Sequence, residues 1–207
     1  MTEINANYFF EKGEDNEHPI LMLHGTGGTE KDLVPLARLV NPKATLLGIR
    51  GRLVENGQTR YFNHTPTGGF DLESLSSETD WLLEQLDLLA KEKDIDVAKL
   101  TVLGYSNGAN VAIYAMLEKY VQLKNALLFH PMALKESPKI PRLPENKVWL
   151  SHGDRDPIVS ADNFEFLVGE INAAGMDYTI FNHQQSHNIN RDEMVAAKQW
   201  YNQRILN

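Results

Sequence analysis

Leu100-Thr101-Val102-Leu103-Gly104-Tyr105-Ser106-Asn107-Gly108, with Val111-Ala112-Ile113-Tyr114-Ala115-Met116-Leu117 after it, decides the fold of this chain. The first four residues are a short apolar run with β-branched members, which reads as a buried strand. The second run is apolar nearly all round and reads as a buried helix. Between them Gly104-x-Ser106-x-Gly108 makes a sharp strand-to-helix turn with a serine at its tip. Such a serine sits in strained backbone with its hydroxyl exposed above the sheet, and the flanking glycines avoid Cβ collisions with neighbouring backbone. This is the pattern of a nucleophile elbow. The competing reading is an ordinary glycine-rich turn whose serine caps the helix.

A serine hydroxyl is a poor nucleophile unless a base takes its proton and a third group orients that base. In a chain built on such an elbow the order is Ser, acid, His. Lys147-Val148-Trp149-Leu150-Ser151-His152-Gly153 reads as a strand running into a turn, and Asp154-Arg155-Asp156-Pro157-Ile158-Val159 follows with two candidate acids. Asp177-Tyr178-Thr179-Ile180-Phe181-Asn182 reads as another strand. The loop after it, His183-Gln184-Gln185-Ser186-His187-Asn188-Ile189, holds two candidate bases.

These segments, with the turn His24-Gly25-Thr26-Gly27-Gly28, resemble the α/β-hydrolases of the small carboxylesterase/phospholipase type, the branch that includes acyl-protein thioesterases. The resemblance covers essentially the whole chain. It implies Asp156, directly before Pro157, as the acid and His187 as the base. Local chemistry points the same way more weakly. Pro157 biases Asp156 toward extended backbone, whereas Asp154 is expected to satisfy amides in its own turn. His183, at the expected strand end, reads as a structural or surface histidine. His183 and His187 are four apart but enclose Gln-Gln-Ser rather than the Glu-containing helical metal motif, so no metal and no cofactor is expected.

Pro19-Ile20-Leu21-Met22-Leu23 is a buried-type strand entering the His24–Gly28 turn. The backbone amides of Thr26 and Asn107 are thereby the expected oxyanion hole, aided by the positive end of the helix after Ser106. The turn lacks the Lys-Ser/Thr of a phosphate loop and the last glycine of a dinucleotide fingerprint. His24 is expected to bond backbone rather than to react. The long segment 50–73 carries Tyr61, Phe62 and Phe70. The resemblance places this segment beside the site, so these three and Tyr105 are candidate walls of a substrate pocket; packing the loop onto the body is the competing use. Arg50 and Arg52 are candidates for a substrate carboxylate or, more commonly, for loop-anchoring ion pairs. The segment 130–146, with Pro131, Pro138, Pro141 and Pro144, is too short and proline-rich for a helical lid. An open site favours small soluble esters.

The chain has 207 residues, 42 % of them hydrophobic, enough for one domain (1–207) with a substantial core. It contains no cysteine, which excludes disulfides and thiol catalysis. A net charge of −8 argues against nucleic acid or an anionic membrane surface as partner. The absence of a membrane-length apolar run and of a signal-like start leads to the expectation of a cytoplasmic protein without membrane insertion. A homodimer is compatible with the sequence but not derivable from it.

Strands are expected near 7–12, 19–24, 44–49, 99–104, 124–129, 147–152 and 177–182. Helices are expected near 31–40, 74–93, 107–120, 160–174 and 190–205. This alternation predicts an α/β-hydrolase fold: a mostly parallel central sheet with helices on both faces and no large lid domain. The expected chemistry is cleavage of small, short-chain carboxylic esters through an acyl-enzyme on Ser106. Thioesterase, lysophospholipase, small-peptide hydrolase and dienelactone-type activities are the alternatives within the class. A non-catalytic binding protein on the same fold is the alternative outside it.

Overall fold

The computed structural model describes residues 3–67, 69–119, 122–137 and 139–207. Tyr120, the expected end of the third helix, and Pro138 of the proline-rich segment lie outside these residues. The described elements run β1 (Tyr8–Glu11), β2 (Asp15–Leu23), α1 (Val34–Val40), β3 (Ala44–Ile49), β4 (Leu53–Glu55), β5 (Gln58–Arg60), α2 (Leu72–Lys93), β6 (Thr101–Tyr105), α3 (Asn107–Glu118), β7 (Asn125–Phe129), β8 (Lys147–Gly153), α4 (Ala161–Ala174), β9 (Asp177–His183) and α5 (Arg191–Arg204).

Seven strands form one sheet in the order β1-β3-β2-β6-β7-β8-β9. All neighbours are parallel except β1, which pairs antiparallel with β3. Parallel strands joined through helices must be covered on both faces, which is why the central strands are continuous apolar runs instead of alternating ones. Their side chains still divide by the period of two. Leu21, Leu23, Val102, Ala126, Leu128, Val148 and Leu150 face a core completed by α2, α3 and α4. Ile20, Met22, Leu103, Leu127, Phe129 and Trp149 face a second core completed by Leu36, Val40, Ala197, Trp200 and Tyr201 of α1 and α5.

The expected alternation and parallel sheet are therefore present. One element was not anticipated: β4 and β5 form a separate hairpin inside the long segment after β3. Its turn, Asn56-Gly57, has positive φ at both positions, 51° and 77°, as a two-residue hairpin turn requires. Segment 131–146 contains no helix among its described residues.

From β2 the chain builds outward to β3 on one side and then to β6 on the other. The strand order reverses between β2 and β6, and in open parallel sheets the crevice at the carboxyl ends of such a pair is where ligands bind. The His24–Gly28 turn leaves β2 and Ser106 leaves β6 at that edge.

Candidate active site

Ser106 joins β6 to α3 with φ 50° and ψ −116°, a conformation that ordinary residues avoid. Close packing enforces it. A Cβ on Gly108 would lie 2.1 Å from the Leu23 carbonyl oxygen, and one on Gly104 would lie 2.8 Å from the Ala109 Cα. The elbow is thus wedged directly against the end of β2. The Ser106 amide donates to the Phe129 carbonyl at 2.9 Å, tying the turn to β7 as well. Although Ser106 occupies the N-cap position, its side chain makes no capping bond. Its hydroxyl instead lies 2.8 Å from His187 Nε2, so the capping alternative does not describe this serine.

His187 Nδ1 stands 2.6 Å from Asp156 Oδ2, and the Asp156 side chain is fully buried. The other carboxylate oxygen, Oδ1, accepts from the amides of Ile158 at 2.8 Å and Val159 at 3.0 Å. Burial would raise the Asp156 carboxyl, but the Val159 amide, the His187 ring and the Ile158 amide outweigh it and hold it below the ordinary carboxylate range. Burial pulls His187 below the usual imidazole value, with Asp156 opposing. The ring is accordingly neutral near pH 7, its proton on Nδ1 toward Asp156 and its lone pair on Nε2 toward the serine. The Tyr105 hydroxyl fixes the loop by donating to the His187 carbonyl at 2.7 Å.

One local expectation needs correction. Asp154 does not cap its own turn: it is exposed, and the turn amides go to Asp156. Of the two readings of His183, structural or surface, the structural one holds: its side chain is 8 % exposed and faces Glu193.

The turn after β2 is held from both sides. His24 is buried; its Nδ1 donates to the Gly25 carbonyl at 2.6 Å and its Nε2 accepts from the Gly51 amide at 3.0 Å, which fixes the tautomer. Burial also lowers its pKa. The Gly27 amide donates to the Thr59 carbonyl of β5 at 2.8 Å. The amides of Thr26 and Asn107 have no acceptor among the described residues, and Thr26 is exposed.

Of the four residues expected at a pocket, Tyr61 and Phe62 are buried, at 2 % and 0 % exposure, and belong to the core. The Tyr61 hydroxyl donates to the Ile49 carbonyl at 2.7 Å and accepts from the His24 amide at 3.1 Å, while its own amide donates to Asn107 Oδ1 at 2.8 Å. This residue stitches together the ends of β3, β2 and the elbow and faces no solvent. Half-buried Phe70 packs on Phe62 and His64, and Tyr105 lies over the His187 ring with centroids 5.7 Å apart. Arg50 pairs with Glu30 at 2.5 Å, and Arg52 pairs with Glu78 at 2.7 Å while covering Trp81. Both arginines anchor the loop.

Sequence reasoning missed His130 and Glu193, both fully buried: His130 lies against Asp156, and Glu193 lies against His130. A polar residue at the end of the apolar run Ala126–Phe129, and the capping pattern Asn190-x-x-Glu193 at the start of α5, were the available signals. The side chains of His130, His183 and Glu193 could in distance terms hold a metal. Their protons argue otherwise. His183 Nδ1 accepts the Gln185 amide at 3.2 Å, so the proton of a neutral ring sits on Nε2, the atom a metal would need bare.

The sequence pattern of the dienelactone hydrolase family matches residues 66–204. Over 199 residues the chain is 32 % identical to MhqD of Bacillus subtilis (strain 168), a protein provisionally named a hydrolase, covering 96 % of this chain and 99 % of that one. Among solved structures it is similar to the Bacillus cereus carboxylesterase, at 37 % identity and a TM-score of 0.92, covering 96 % of this chain and 94 % of that one. It is similar also to YahD, whose structure holds malic acid, at 37 % identity and a TM-score of 0.92, covering 96 % and 98 % of the two chains.

Proposed function

This chain belongs to the dienelactone hydrolase family, and from that membership we propose that Ser106, His187 and Asp156 carry out ester hydrolysis by two-step acyl transfer. The family and the likeness to carboxylesterases make the protein an esterase-type hydrolase acting on small-molecule esters. The assignment of roles rests on one observation above the rest: an uncapped, strained serine hydroxyl 2.8 Å from an imidazole nitrogen whose opposite nitrogen lies 2.6 Å from a buried carboxylate.

As Ser106 Oγ attacks the ester carbonyl, His187 Nε2 takes its proton, and Asp156 stabilises the imidazolium that forms. The negative oxygen of the tetrahedral intermediate is received by the Thr26 and Asn107 amides, two donors with no competing acceptor, at the positive end of α3. Collapse of the intermediate passes the proton from His187 to the leaving alcohol. Water then attacks the acyl-serine by the same route in reverse, with His187 again as base. In a lactone the leaving oxygen stays tethered to the acyl group, and the chemistry is otherwise the same.

The preferred substrates are esters of short acyl chains. Support comes from segment 131–146, which carries no described helix to shelter a long chain and is laced to α4: Asn163 bonds both the amide and the carbonyl of Ala133 at 2.9 Å, and the Ser137 amide reaches Glu170 at 2.7 Å.

Replacement of Ser106 by Ala tests the assignment. Hydrolysis of a short p-nitrophenyl ester and labelling by a fluorophosphonate should both vanish, with circular dichroism unchanged. A folded Ser106→Ala protein turning over at near wild-type rate would overturn the proposal.

A further inference from the structure

On the side of Asp156 away from the serine stands a histidine that acyl transfer does not use. His130 follows β7 directly, has φ 52° and is fully buried. Its Nδ1 lies 3.2 Å from Asp156 Oδ2, the oxygen that also faces His187 Nδ1. Its Nε2 lies 3.1 Å from Glu193 Oε1, at ion-pair distance but off the line of a well-aligned hydrogen bond. Glu193 Oε2 is taken by the amide and side-chain nitrogens of Asn190, at 2.8 and 2.9 Å, and His183 Nε2 stands 3.4 Å from it. The ionisable groups around this ring are therefore Asp156 from the loop after β8, Glu193 from α5, His183 from the end of β9, His187 from the loop beyond it, and Tyr105 from the end of β6.

Buried charges survive only if they are paired. Burial raises both Asp156 and Glu193, yet their hydrogen bonds outweigh it and keep both below the ordinary carboxylate range, so both are ionised and act only as acceptors. A neutral imidazole would turn a lone pair toward one of them. With a carboxylate oxygen at each ring nitrogen, the ring is placed to face both acids with an N–H. The arrangement is a carboxylate, an imidazole ring and a second carboxylate in a row, with His187 at one end.

We infer that His130 is a positioning residue for this reaction, a bridging imidazolium that holds the Asp156 carboxylate against His187 and offsets part of its charge, with Glu193 as counter-ion. The inference rests on the reading of Ser106, His187 and Asp156 as the reacting groups. Its consequence is electrostatic. The His130 ring centroid is 5.0 Å from that of His187, and a positive charge there opposes protonation of the base, keeping it free at lower pH than Asp156 alone would allow.

His130→Asn is the informative variant. Asparagine tolerates positive φ, and its amide can still donate to Asp156, but it carries no charge and does not reach Glu193. The acid limb of kcat/KM should move up by about one pH unit, the size expected for a unit charge at this separation in a partly screened site. KM should change little. In wild-type protein labelled with ¹⁵N-histidine, the ring signals that disappear in His130→Asn should show both nitrogens protonated at pH 7. A neutral tautomer at His130, or an unmoved acid limb in folded His130→Asn, would overturn the inference. If that variant fails to fold, the His130 ring is assigned in wild-type protein by its proximity to the rings of Tyr105 and His187 in nuclear Overhauser spectra, so the nitrogen spectrum decides the matter either way. His187→Ala separates the two readings: if it is inactive while His130→Asn leaves the limb in place, only the role of His130 falls, whereas an active His187→Ala would remove the base itself.

Discussion

Asp154 and Asp156 share a chemistry and a turn, and what separates them is a proline. Pro157 has no N–H, so the first free amides after it are those of Ile158 and Val159, within reach of the side chain at 156. Those two bonds occupy Oδ1 and leave Oδ2 aimed at His187. The resemblance implied Asp156 as the acid, but the local reading assigned the amide-binding role to its neighbour, because the hydrogen-bond direction of a turn depends on backbone angles that residue types only bias. Asp156→Asn tests the consequence. The asparagine oxygen will accept the two amides, and its NH2 will then face the His187 N–H, donor against donor. The ring must flip its tautomer and lose the lone pair toward Ser106. A fall on the order of 10⁴ in kcat is expected, against a change of a few-fold at most in Asp154→Asn, measured on a short p-nitrophenyl ester with both variants folded.

At the scale of elements, the hairpin β4–β5 and Tyr61 after it decide how the turn after β2 is supported. β5 holds Gly27 through the Thr59 carbonyl, and Tyr61 closes the carbonyl of Ile49 and the amide of His24. Tyr61→Phe leaves both groups buried without that partner, so a loss of about 1–3 kcal/mol of stability is expected, read from urea denaturation with an unchanged m-value. The hairpin was not anticipated, although it was legible in principle, since Asn-Gly between short extended runs is a strong turn signal. The fate of Tyr61 was not. An aromatic residue in a long loop looks the same whether it walls a pocket or fills the core. The choice depends on where the ends of β2 and β3 leave unsatisfied groups, which only the assembled sheet determines. The elbow, by contrast, could be read directly, because its glycines answer to a local steric demand.

At the scale of the whole molecule, the sheet gathers Thr26, Ser106, Asp156 and His187 at one edge because each follows the carboxyl end of a parallel strand. That much followed from the strand–helix alternation. The partnership of His130 with Glu193 did not, since it joins β7 to α5 across the fold and the capping pattern Asn190-x-x-Glu193 marks only the start of a helix. The same arrangement leaves the site without a helical cover among the described residues, and this sets the expected selectivity. Each methylene buried in a tunnel adds about 0.8 kcal/mol of binding, whereas carbons left in water add little. For p-nitrophenyl esters below their micelle concentrations, kcat/KM should therefore level off or fall beyond butyrate or hexanoate. A steady rise through dodecanoate would mean that a loop folds over the acyl chain and would favour a long-chain thioesterase or lysophospholipase. The placement of Glu193 on α5 bears also on biosynthesis. Translation delivers the serine on β6 and α3 long before it delivers His187 and the counter-ion of His130, and domains settle as units once their parts are present. A nascent chain thus displays an unarmed hydroxyl. On the proposed roles reactivity awaits His187, and the second core closes only when Ala197, Trp200 and Tyr201 of α5 dock against the sheet.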